Sequence, residues 1–200
     1  MVIGGILAVT QTDVKRMVAY SSIAHAGFLL VGAMAITKEG VSGTLFYLLA
    51  YGFTTIASFA VVSLVRDSSG EATHLAQWAG LARKSPLVAA TFAFLLFALA
   101  GIPLTSGFMA KFAVFTAGVE SGATPLVVVG VVMSAVTAFF YARVVVLMFF
   151  SEAAPDGPTV AVPSVFTAGA IAVGLAATVV LGVVPQPVLD LAGNASRFVS

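Results

Sequence analysis

Two ionisable side chains stand where the chain has almost no other charge. Lys111 lies in Ala100-Gly101-Ile102-Pro103-Leu104-Thr105-Ser106-Gly107-Phe108-Met109-Ala110-Lys111-Phe112, inside an apolar stretch from Pro86 to Gly118 that is too long for one straight crossing of a bilayer. An ammonium in hydrocarbon is costly, so an intramembrane lysine normally faces a bundle interior or a wet cavity and has a job there. Gly101, Pro103 and Gly107 interrupt helical hydrogen bonding just before it. Such a break is tolerated at membrane depth only where the freed backbone is buried in protein or lines a cavity. A broken helix beside a buried cation is the construction used by ion and proton transporters. An amine shielded from bulk water can both load and release a proton near neutral pH, as a proton carrier must. The bland alternative is that Lys111 snorkels to an interface along its apolar stem.

His25 is the second candidate, in Ala19-Tyr20-Ser21-Ser22-Ile23-Ala24-His25-Ala26-Gly27. It falls about nine residues into its apolar run, roughly 13 Å deep at helical rise, near mid-membrane. Ser21 and Ser22 precede it by four and three residues and so share its helix face. Imidazole titrates closer to neutrality than any other side chain, and a face of hydroxyls and imidazole suits a proton relay. The competing reading is a neutral histidine satisfied by a neighbouring helix. Tyr141 could bring a hydroxyl to a buried water chain, and Arg143, two residues on, reads as snorkelling to the nearer face. Lys15 and Arg16 read as interfacial anchors.

These residues need long apolar helices to position them, and the composition supplies them. Of 200 residues, 60% are hydrophobic and 8% charged, against about 25% charged in a soluble domain. The expected fold is an all-α polytopic transmembrane bundle, a single domain over 1–200. Its spans are expected near 17–36, 43–65, 86–118 (broken), 125–150 and 162–184. Val2 to Thr10 is too short to cross and reads as the end of a helix. No basic residue precedes that segment, so no cleavable leader is expected. The linker from Asp67 to Ser85 is expected to form a short interfacial helix carrying Trp78. Lys15, Arg16, Arg66, Arg83 and Lys84 fall on one side of the bilayer, Lys38 and Arg197 on the other. The positive-inside rule therefore places the first group in the cytoplasm of an inner-membrane protein and the C-terminus outside. A net charge of +1 gives no field for nucleic acid. The absence of cysteine removes disulfides and thiolate metal sites, and no nucleophilic triad, phosphate loop or metal site is visible.

The two motifs together resemble a known family. Thr12-Asp13-Val14-Lys15-Arg16-Met17-Val18-Ala19-Tyr20-Ser21-Ser22-Ile23-Ala24-His25-Ala26-Gly27 is similar to the signature of the antiporter-like membrane subunits of respiratory complex I and of Mrp-type antiporters. Ala100 to Phe112 resembles their second broken helix, and Val184-Pro185-Gln186-Pro187 also fits. Within the family the pattern looks most like the subunit N branch of bacterial NADH:quinone oxidoreductase. The resemblance implies a larger bundle of two inverted repeats, each with one broken helix. This chain would be its C-terminal part, with Met1 an internal methionine or a misplaced start. It implies that Lys111 is the terminal proton-loading lysine and that His25 lies on the polar axis leading to it. Lys15, Tyr20 and Tyr141 would be further positions of that axis. It implies proton translocation coupled to quinone reduction elsewhere, with no cofactor in this chain. Flavin (FMN), iron–sulfur clusters and quinone would belong to partner subunits. The implied partners are the other membrane subunits of complex I, the missing N-terminal helices and the lipid bilayer. The alternatives are an Mrp-type cation/proton antiporter, a membrane subunit of an energy-converting hydrogenase, or a structural membrane module without transport of its own.

Overall fold

A computed structural model describes residues 1–153 and 157–195, so Asp156, Arg197 and Ser200 lie outside the described residues. The chain runs α1 (Val2–Val9), α2 (Val14–Met34), α3 (Lys38–Val62), β1 (Val65–Asp67), β2 (Gly70–Glu71), a 3-10 turn (Leu75–Trp78), α4 (Leu81–Lys84), α5 (Pro86–Ala100), α6 (Ser106–Glu120), α7 (Thr124–Phe150), β3 (Thr159–Val160), α8 (Val165–Val183) and α9 (Gln186–Ala195). Among the described residues, four helices (α2, α3, α7 and α8) are long and apolar enough to cross a bilayer. The halves α5 and α6 have 15 residues each. At helical rise each spans about 22 Å, short of a hydrocarbon core of about 30 Å, so only the two together can cross.

The helices α2 and α3 start before their apolar runs because polar side chains cap them. The Asp13 carboxylate accepts from the Arg16 N–H at 2.8 Å and starts α2 three residues before Met17. The Thr37 hydroxyl accepts from the Gly40 N–H at 3.0 Å and starts α3 at Lys38 rather than Gly43. Such caps contribute about 1 kcal/mol each. Close packing of the apolar faces relies on small residues. A Cβ on Gly174 of α8 would lie 2.8 Å from the Phe53 carbonyl oxygen of α3, so these two helices touch backbone to backbone there.

The end that holds Asp13 and Lys15 carries a small folded cap. β1 pairs antiparallel with β2 on one side and with β3 on the other. Asp67 closes the hairpin by accepting from the Ser69 N–H, the Ser69 hydroxyl and the Gly70 N–H. The linker carries Trp78 on a short 3-10 helix (Leu75–Trp78), but that residue lies in the core rather than at an interface as expected. Gly80 takes a left-handed conformation (φ 64°) and donates its N–H to the Leu147 carbonyl at the end of α7. That anchor folds the linker inward and buries Trp78 completely, with its Nε1 donating to the Ala72 carbonyl at 2.8 Å and its ring 4.9 Å from Phe92. At the opposite end α9 follows α8 where Pro185 and Pro187 suggested a stop. Proline is tolerated in a helix's first turn, where its missing N–H would have had no partner. Ser42 of α3 ties α9 down by donating to the Leu189 carbonyl at 2.8 Å.

Two apolar cores sit one above the other. One joins Val14, Met17, Val18, Ala57, Val61, Trp78, Phe92, Leu96, Phe140, Tyr141 and Val144. The other joins Ala24, Phe28, Phe46, Tyr47, Ala110, Val114, Met133 and Leu181. The long helices α2, α3, α7 and α8 each contribute to both cores, and a polar residue marks the crossing. Ser21 and His25 mark it on α2, Tyr51 and Thr54 on α3, Ser134 and Thr137 on α7 and Thr178 on α8, while the α5–α6 segment is broken at this level.

Candidate functional site

The break is built by a specific C-terminal motif. Gly101 has φ 88°, its N–H bonds the Ala98 carbonyl at 3.0 Å, and the Ile102 N–H reaches back to the Phe97 carbonyl at 3.1 Å. This is the Schellman arrangement, in which a left-handed residue, usually glycine, lets two final carbonyls be satisfied. It leaves the carbonyls of Leu99 and Ala100 for another donor. Lys111 is that donor: its Nζ lies 2.8 Å from the Ala100 oxygen and 3.3 Å from the Leu99 oxygen. A third bond of 2.8 Å goes to the Ser134 hydroxyl on α7, and the Phe28 ring centroid stands 5.1 Å from the ammonium.

The arrangement explains why the charge is tolerated. Lys111 is 5% exposed, so it does not snorkel; it folds back over the preceding half-helix. Hydrogen bonds to a charged group contribute about 1.5–3 kcal/mol each, and the C-terminal end of a helix carries partial negative charge that favours a cation. Gly107 makes the reach possible. A Cβ there would collide with the Ala98 carbonyl oxygen, so only glycine lets α6 start this close to α5.

His25 is buried one helix away. Its Nδ1 shares a 2.7 Å hydrogen bond with the Tyr47 hydroxyl, and its ring stacks on Tyr51 at 4.5 Å. Tyr51 donates to the Ser22 hydroxyl at 2.6 Å. His25 Nε2 has no protein partner among the described residues, and His25 lines a cavity of about 10 Å³ together with Tyr47, Tyr51, Thr54, Leu99 and Gly107. That volume is about the least that can hold one water. The cavity thus joins the imidazole to the Leu99 end of the break, and Phe28 touches both sides, 5.7 Å from His25 centroid to centroid.

The structure brings some sequence candidates together and leaves others apart. Lys111, His25, Gly101 and Gly107 share the level of the break. Tyr141 is buried at the same level, its hydroxyl facing the Ser21 side chain of α2. Pro103 sits in the exposed turn of the break, and the Lys111 ammonium donates to Leu99, Ala100 and Ser134 instead. Tyr20 is half-buried against the core near the cap. Lys15 is half-exposed and ion-paired to Glu71 across to β2, away from the interior. Arg143 is exposed near the same end. Three participants were not singled out from sequence: Tyr47, Tyr51 and Ser134. The four-residue spacing of Tyr47 and Tyr51, one face of α3, was the available signal; a single serine in α7 gave none.

A lysine sealed into the gap of a broken membrane helix is the geometry to compare with known proteins. The family model for the transmembrane region of NADH:quinone oxidoreductase and Mrp antiporters matches residues 1–137, and the chain belongs to that family. NADH-quinone oxidoreductase subunit N of Rhodococcus opacus (strain B4) is 66% identical over 99% of this chain. The chain spans 37% of that relative's length. Among solved structures, respiratory complex I from Thermus thermophilus with bound aureothin has a chain 31% identical over 94% of this one, with a TM-score of 0.79; the match covers 42% of that chain. The Mrp complex from Dietzia sp. DQ12-45-1b has a chain 25% identical over 98% of this one, with a TM-score of 0.83 and 44% of that chain covered.

Proposed function

We propose that this chain carries a proton-translocating half-channel of subunit N in an NADH:quinone oxidoreductase, with Lys111 as the group that loads and releases the proton. The observation that carries the reading is the seating of the Lys111 ammonium on the two carbonyls that the break leaves free. His25 passes the proton: Tyr47 orients the ring through Nδ1, and Nε2 meets the cavity that reaches the Leu99 end of the break. Water between that cavity and the Lys111 amine would complete a hydrogen-bonded route. Tyr141 is a further hydroxyl of the buried layer, whereas Lys15 and Tyr20 would serve only at its entrance.

In this reading electrons do not pass through the chain. It has no cysteine to hold an iron–sulfur cluster, and flavin and quinone chemistry belongs to partner subunits. Quinone reduction there would drive the change in Lys111 charge state. The cap with Lys15, Arg16, Arg66, Arg83 and Lys84 faces the cytoplasm, and the α9 end faces out. The Mrp-like alternative rests on a shared fold, while the 66% identity to a subunit N favours the respiratory reading. The test is NADH-driven proton uptake into inside-out membrane vesicles carrying the assembled enzyme. Lys111→Ala should abolish most uptake, His25→Ala should slow it more mildly, and Lys111→Arg should not restore it, because a guanidinium keeps its proton. Full uptake in the Lys111→Arg enzyme would reject the loading role.

A further inference from the structure

A lysine that carries protons must be stable in two states, and its neighbours must suit both. The ammonium has three N–H donors and no acceptor. Its three partners are the Leu99 and Ala100 carbonyls and the Ser134 hydroxyl. The neutral amine has two N–H donors and one lone pair. The two carbonyls can only accept, so they suit the two N–H groups that remain. The lone pair then needs a donor, and a carbonyl cannot supply one. Ser134 can: a hydroxyl both donates and accepts.

We propose that Ser134 is the positioning residue that lets Lys111 change charge state without leaving a polar group unpaired, its hydroxyl accepting from the ammonium and donating to the neutral amine. The proposal rests on the reading of Lys111 as the loading group and names the partner that permits it. In the step, the ammonium N–H bond aimed at Ser134 breaks and its proton goes to the Ser134 oxygen, while the proton the hydroxyl already carried passes to a water beside it. The electron pair of the broken N–H bond stays on Nζ as the lone pair. The Ser134 hydroxyl now donates into that lone pair, and the two carbonyl bonds persist throughout. A buried polar group left unpaired is costly, so a partner that reverses direction keeps the two charge states close in energy. Thr137, one turn further along α7, already donates to the Ser134 carbonyl and is not available for this role. The titratable side chains around the site are His25 from α2, Tyr47 and Tyr51 from α3 and Tyr141 from α7. Among the described residues α5 and α8 hold none, and in α6 the other one, Glu120, is at the far end.

The test uses the assembled enzyme with the full-length subunit, carrying Ser134→Ala, Ser134→Thr or Lys111→Met. Protons translocated per NADH are measured across a pH series, with assembly checked by native gel. Ser134→Ala should lower the ratio several-fold and displace its pH profile. Ser134→Thr, which keeps the hydroxyl, should restore both. Wild-type ratios and profile in Ser134→Ala, beside a Lys111→Met enzyme that has lost pumping, would overturn the role of Ser134 alone. Equal loss in Ser134→Ala and Ser134→Thr would also overturn it, since shape rather than the hydroxyl would then matter. Normal pumping by Lys111→Met would instead sink the reading of Lys111 itself, and this proposal with it.

Discussion

Replacing Gly107 by alanine probes the break without touching a polar group. The added methyl is aimed at the Ala98 carbonyl oxygen, a backbone atom that cannot swing aside. Relief requires α6 to withdraw from α5 by on the order of 1 Å, an overpacking strain of about 1–3 kcal/mol. Lys111 rides on α6, one turn further on. Its 3.3 Å bond to the Leu99 carbonyl would pass beyond bonding range, and its 2.8 Å bond to the Ala100 carbonyl would weaken. One lost bond to a charged donor adds about 1.5–3 kcal/mol, while alanine's better helix propensity returns about 1 kcal/mol. The net expectation is a destabilisation of about 1.5–5 kcal/mol, together with impaired pumping. Gly169→Ala is the matched control, because nothing lies within 4 Å of its would-be Cβ; it should be neutral or slightly stabilising. Thermal inactivation of the purified complex and proton pumping in vesicles would read both. A Gly107→Ala enzyme with wild-type heat stability and pumping would refute the close approach and the seating of Lys111 built on it.

Tyr47→Phe removes the partner of His25 Nδ1, leaving a buried ring nitrogen unpaired at a cost of about 1–3 kcal/mol; proton uptake in vesicles should fall more than two-fold, and unchanged uptake would argue against His25 as an oriented relay. Single cysteines at Ser69 and Ser121, which lie at opposite ends of the bundle, should differ toward an impermeant thiol reagent on intact cells; Ser121 should label and Ser69 should not, and the reverse pattern would invert the orientation. The Ser69 hydroxyl, the Ser69 N–H and the Gln77 amide hold the Asp67 carboxyl below its usual range. A lowered folded-state value means that this support is present above the ordinary carboxylate value near 4 and is lost as pH falls through the lowered one. Hydrogen exchange at the 67–70 turn should therefore be slow at pH 7 once corrected for intrinsic rates, and fast at all pH in Asp67→Ala; equal protection in both would remove Asp67 as the keystone of the hairpin.

The sequence exposed the break and its lysine because charge is so scarce in this chain that Lys111 stands out, and because glycine and proline disrupt helices wherever they occur. It exposed His25 for the same reason of scarcity. The partners were harder to see. Tyr47, Tyr51 and Ser134 are ordinary residues in apolar helices, and which of them faces inward depends on how each helix is rotated in the bundle, a matter of tertiary packing. The cap was opaque for another reason: β1 pairs with β3 more than 90 residues away, and no local pattern announces a two-residue strand. Trp78 read as an interfacial aromatic, yet one left-handed glycine, Gly80, folds the linker so that it becomes core. α9 was hidden by prolines that read as a stop and instead flank a helix start. Lys15 matched the motif but pairs with Glu71 outside the interior, because Asp13 caps α2 in a position that turns Lys15 toward the hairpin.

The central claim is that a proton resides on Lys111, held by the carbonyls that the break leaves free. The most direct measurement is the number of protons translocated per NADH oxidised by an assembled enzyme carrying Lys111→Met, with the rate of NADH oxidation recorded in the same vesicles. Methionine keeps the length and apolar stem of the side chain but can carry no proton. The expected result is a normally assembled enzyme whose proton-to-NADH ratio falls well below that of the wild type. An unchanged ratio in the assembled Lys111→Met enzyme would contradict it.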